Sequence, residues 1–146
     1  KVKALINDGY KETFLDGSLE IANKGYLIDM ILYGKELDSQ MKLLKIRAEG
    51  NTVVTTERNS NYMDIALKRK PRTFQITYRF HEHQIAEQII DTVPGYYKVA
   101  RHNLKRYEEF KLFCEENDLD YRLSGFDQKK GAPLRKVLEQ YRKAHK

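Results

Sequence analysis

A chain of 146 residues that is 40% hydrophobic and 33% charged carries enough apolar material for one compact domain without a disulfide or metal staple, and it lacks the composition of a disordered segment. Lysine and arginine exceed aspartate and glutamate by 27 to 21, a formal charge of +6, which favours nucleic acid, an anionic surface or an acidic protein as partner. The longest apolar run, Tyr26 to Tyr33, is broken by Asp29 and falls short of the roughly 20 residues of a membrane helix, so no membrane partner is expected; the single Cys114 suits a buried thiol in a reducing compartment, the cytoplasm by default.

In chain order, Val2 to Ile6 and Leu19 to Ala22 have the pattern of strands, and Tyr26 to Tyr33 is expected to be a buried strand rather than a short buried helix. From residue 42 to residue 80 the hydrophobic pattern keeps a period of two through four runs, which predicts an antiparallel β-meander. Leu44, Ile46 and Ala48 share one face of the first run, with Lys45 and Arg47 on the other. Gly50-Asn51 turns the chain into Thr52 to Glu57. Met63, Ile65 and Leu67 then alternate with polar or small neighbours, and Phe74, Ile76, Tyr78 and Phe80 do the same after Lys68-Arg69-Lys70-Pro71-Arg72. That segment is expected to be a basic hairpin tip.

His81 to Val93 carries Ile85, Ile89, Ile90 and Val93 at helical spacing, with Pro94-Gly95 as its stop. Tyr96 to Asn117 is predicted helical from the stripe Ala100, Leu104, Tyr107, Phe110 and Cys114. Asp120 to Leu123 has the alternation of a short strand. Phe126 to Gly131 is a lysine-bearing loop, after which Pro133 suits the first turn of a last helix. The expected fold is therefore α+β, an N-terminal antiparallel β-meander packed against C-terminal helices, in one domain over 1–146 that is mainly β to residue 80 and mainly α beyond it.

Three positive clusters suggest a function. The hairpin tip offers Lys68, Arg69, Lys70 and Arg72 to phosphates. The long helix begins with Lys98 and Arg101, where backbone N–H groups also face outward. Arg135 and Lys136 lie near the start of the last helix, where dipole complementarity does not account for them. Together they predict a non-catalytic protein that binds DNA or RNA through phosphate contacts. An alternative is an interaction module that meets an acidic protein with Lys45, Arg47, Tyr62 and Arg79. A weaker one is a metal-dependent nuclease using Glu109 or Asp127 in acid-x-lysine pairs. His81-Glu82-His83 lacks a third ligand by spacing, and no phosphate loop, zinc array or serine elbow is present, so no metal or cofactor is expected.

Overall fold

The computed structural model describes residues 1–122 and 127–146. The protein is α+β, with a six-stranded mixed sheet and five helices among the described residues. The elements are α1 (Val2–Leu5), β1 (Ile6–Phe14), β2 (Leu19–Ile21), α2 (Lys24–Glu36), β3 (Gln40–Glu49), β4 (Thr52–Ser60), α3 (Tyr62–Ala66), β5 (Arg72–His81), β6 (Gln84–Thr92), α4 (Tyr96–Glu116) and α5 (Gln128–Ala144). Strand order is β2-β1-β6-β5-β4-β3, with β1 antiparallel to β2 and parallel to β6, and β6 antiparallel to β5. The chain gathers into two compact units, Lys1–Ile28 with Met41–Arg58 and Thr73–Pro94, and Asp29–Gln40 with Asn59–Arg72 and Gly95–Lys146.

In the first unit, β3, β4 and β5 form where the period of two predicts them. The segment read as a helix after residue 81 is instead the strand β6. It lies between β1 and β5, and all but its last residue are half-buried on both faces. A central strand covered on two sides has no reason to alternate, so its isoleucines fall at a helix-like spacing. Glu82 and His83, both with positive φ (48° and 65°), form the two-residue turn between paired His81 and Gln84. This is the backbone hand that matches strand twist, built here without the usual glycine or asparagine. At the N-terminus, Val2–Leu5 is a helical turn and the strand starts at Ile6. Every residue of the edge strand β3 is exposed, including Met41, Leu44 and Ile46.

Tyr26 to Tyr33 is helical. Asn23 starts α2 by accepting a hydrogen bond from the Tyr26 backbone N–H at 2.9 Å, a standard N-cap, and apolar residues around the whole helix conceal its period.

In the second unit, Met63 to Leu67 is not a strand. Asn61 and Asp64 make a capping box, each side chain accepting from the other's backbone N–H, and this satisfies two helix-end donors at once. The core of the unit joins Tyr33, Leu37, Tyr62, Met63 and Leu67 to Phe110, Cys114, Leu134, Leu138 and Tyr141. Helix α4 forms over its predicted span, with Phe110 and Cys114 of the expected stripe buried and Leu104 exposed. Asp127 caps α5 through the Lys129 N–H, so the helix begins within the expected loop and Pro133 lies inside it. Asp120 to Arg122 are irregular; the last residue of that expected strand, Leu123, lies outside the described residues.

Candidate functional site

Two strands of the first unit repeat one short pattern, a hydroxyl residue two positions before a glutamate. On β1, Tyr10 precedes Glu12, and its phenol donates to Glu12 Oε2 at 2.9 Å. On β4, Thr55 precedes Glu57, and its hydroxyl donates to Glu57 Oε1 at 2.7 Å. Spacing of two places both members on one face of a strand. The register carries that face across the sheet: Glu12 stands opposite Gln88 on β6, and Gln88 stands opposite Tyr78 on β5. The Tyr78 phenol donates to the same Glu57 oxygen that Thr55 occupies. Tyr10, Glu12, Thr55 and Glu57 are 1%, 8%, 5% and 6% exposed.

No cation pairs with Glu12 or Glu57 among the described residues. Lys11 and Arg79 lie on the other face, where they share Glu87 at 3.5 and 3.1 Å. Burial therefore pushes the Glu12 carboxyl above the usual glutamate range, and the Glu20 and Glu57 carboxylates push it further; the Tyr10 hydrogen bond acts the other way. Burial also raises both phenols, reinforced for Tyr10 by Glu12 and for Tyr78 by Glu57. A carboxyl whose proton affinity burial raises, beside a second carboxyl held by two hydroxyls, is the kind of pair from which acid and base roles are built. The sequence signals were Tyr-x-Glu and Thr-x-Glu, which separately look like ordinary strand polarity.

The predicted site residues occupy other places. Lys68 to Arg72 is not a hairpin tip but the joint between α3 and β5. Lys68 is in the left-handed region (φ 54°) and exposed. Its carbonyl meets His102 Nε2 at 3.2 Å, the Leu67 carbonyl accepts from Arg106 Nε at 2.8 Å, and Asn103 clamps the Lys70 backbone by donating to its carbonyl and accepting from its N–H. Arg69 lies 3.0 Å and Arg72 3.7 Å from the buried carboxylate of Asp64; burial, then Arg72, pull the Arg69 guanidinium below its ordinary value. Lys98 and Arg101 are exposed in the first turns of α4, and Lys136 is exposed on α5. Arg135 bonds Asp38 at 2.7 Å, reaches Glu139 at 3.4 Å and lies 4.4 Å over the Tyr62 ring.

The alternatives lose their geometry as well. Tyr62 is buried on α3, so it does not share a sheet face with Lys45, Arg47 and Arg79. Glu109 pairs with Arg106 at 2.6 Å and Asp127 is a helix cap. Among the described residues no three His, Cys, Asp or Glu side chains converge as a metal site, and no helix is long and apolar enough to cross a membrane.

No family model matches the chain, and no curated protein matches it. Solved structures do resemble it. An NTF2-like protein of unknown function from Cytophaga hutchinsonii is 16% identical, over 63% of this chain and 72% of that one, with a TM-score of 0.46. An LEH-like epoxide hydrolase of M. tuberculosis is 13% identical, over 76% and 80%, with a TM-score of 0.48. A cystatin-fold protein from Novosphingobium aromaticivorans is 11% identical, over 61% and 80%, with a TM-score of 0.48. Likenesses this distant assign no activity. The nucleic-acid reading is corrected: the basic hairpin at its centre does not exist, and two of its four cations serve a buried carboxylate.

Proposed function

We propose that this protein binds a small molecule against the Tyr10, Glu12, Tyr78 and Glu57 face of its sheet and exchanges a proton with it through Glu12. The observation that carries the reading is a buried glutamate without a cation, beside a second buried glutamate whose orientation two hydroxyls fix. Purely structural buried carboxylates are paired with a cation, as Asp64 is in the other unit, because an unpaired one is costly. Glu12 is thus positioned to donate a proton to an oxygen or nitrogen of the ligand, with Tyr10 returning a hydrogen bond to the carboxylate that forms. The lone, buried Cys114, whose thiol burial pushes up to about 11, supports a reducing compartment such as the cytoplasm for this activity.

The test is a thermal-shift screen of a small-molecule fragment library against wild type, Glu12→Gln, Tyr10→Phe and Tyr78→Phe. Compounds that bind this face stabilise wild type and lose that effect in Glu12→Gln. Hits that stabilise all four proteins equally would show that the face is only a buried polar network.

A further inference from the structure

The second unit contains a cleft of about 340 Å³, lined by Asp38, Ser39, Gln40, Ser60, Asn61 and Ile65. Its shape follows from how α2 ends. The Leu37 and Ser39 N–H groups both donate to the Gly34 carbonyl, and Asp38 takes a left-handed conformation (φ 49°) that swings the next residues away from the helix. The Tyr62 N–H donates to the Leu37 carbonyl at 2.6 Å, which fixes the start of α3 and the preceding Ser60 and Asn61 against that turn.

The charged groups around the cleft are already engaged. Arg135 donates to Asp38 Oδ2 at 2.7 Å and to the Glu36 carbonyl at 3.0 Å, with Glu139 on its other side. An oxyanion would need a free cation, and none lines the cleft among the described residues; the one carboxylate that lines it, Asp38, is already held by Arg135. What is uncommitted is neutral. Among the described residues the Ser39 and Ser60 hydroxyls, the Gln40 amide and the Asn61 NH2 group have no hydrogen-bond partner, whereas Asn61 Oδ1 is held by the Asp64 N–H. Such groups offer donors and acceptors side by side. Ile65, 60% exposed, adds an apolar patch.

We propose that this cleft is a subsite for a neutral polyol of single-ring size. Each hydroxyl of a sugar both donates and accepts, which matches paired hydroxyls and amides, and its C–H face suits the isoleucine. The volume lies at the low end of small-molecule sites, so one ring is accommodated rather than a chain. The reading is independent of Glu12 and stands whether or not the sheet face binds a ligand.

The test is a titration of the full chain, followed by amide NMR, with glucose, galactose, mannose and inositol in turn, and with inorganic phosphate and tetramethylammonium for comparison. The expected result is a saturable shift of the Ser39, Gln40 and Asn61 amides with at least one polyol. It should weaken roughly tenfold in Gln40→Ala/Ser60→Ala, the scale of a lost hydrogen bond or two. Gln40→Ala alone, at an exposed position, should weaken it in the same direction and covers the case in which the double variant misfolds. The proposal is overturned if no polyol gives a saturable shift, if both variants bind as wild type does, or if phosphate or tetramethylammonium produces the same shifts.

Discussion

Glu12 and Asp64 are both buried carboxylates in opposite circumstances: Asp64 has Arg69 and Arg72 beside it, and Glu12 has only a phenol. This difference has a measurable sign. Because the proton affinity of Glu12 is raised on folding, its contribution favours the native state fully below the ordinary glutamate value and is lost as pH rises through the raised one. Glu12→Gln preserves the shape of the protonated form. The stability difference between variant and wild type should therefore grow with pH from the ordinary glutamate value upward and then level off, in urea unfolding measured across that range. A difference independent of pH would show that Glu12 is not the group that holds the proton. None of this was legible in composition, since the sequence shows 27 cations and conceals that the register sends Lys11 and Arg79 to the face opposite Glu12.

Elements were legible where apolar and polar residues alternate in the sequence and obscured where apolar residues surround the element. The spans of β3, β5 and α4 come through from their sequence patterns, although every residue of β3 is exposed and so is Leu104 of the expected α4 stripe. In β6 and α2 the apolar residues surround the element, and periodicity fails for the same reason in both. End signals were still available there: Asn23 before α2, and Asn61 with Asp64 around the start of α3. The β5–β6 turn gives a direct test. Glu82 and His83 both hold a positive φ that side chains disfavour, so Glu82→Asn with His83→Gly should stabilise the protein by about 1–2 kcal/mol, read as a higher unfolding midpoint. Gly131 tests the reverse situation. A Cβ there would stand 2.8 Å from Glu36 Cβ and 3.1 Å from the Tyr33 carbonyl oxygen, because α5 passes close to the end of α2. Gly131→Ala should cost about 1–3 kcal/mol, as overpacking does, despite the better helix propensity of alanine.

At the scale of the molecule, each compact unit is assembled from three separate stretches of chain. The α+β class was readable from the separate elements, but the interleaving was not, because β1 and β6, which pair in parallel, lie some 80 residues apart in the chain, and local pattern carries no such information. A fragment ending at Pro94 would keep all six strands and lose Phe110, Cys114, Leu134, Leu138 and Tyr141 from the second core. It should aggregate or bind a hydrophobic dye more strongly than the full chain; a monomeric, dye-silent fragment would contradict this. The two rows of the sheet also act as a check on assembly. Shifting β6 by one residue would bring Glu87 to the buried side with Glu12 and Glu57, and strand Lys11 and Arg79 without their shared acid. Since a one-residue slip reverses every side chain of a strand, Asp91 would follow Glu87, and misregistered intermediates would collect four carboxylates on that side. The sheet is therefore expected to disfavour its own near-miss structures by charge.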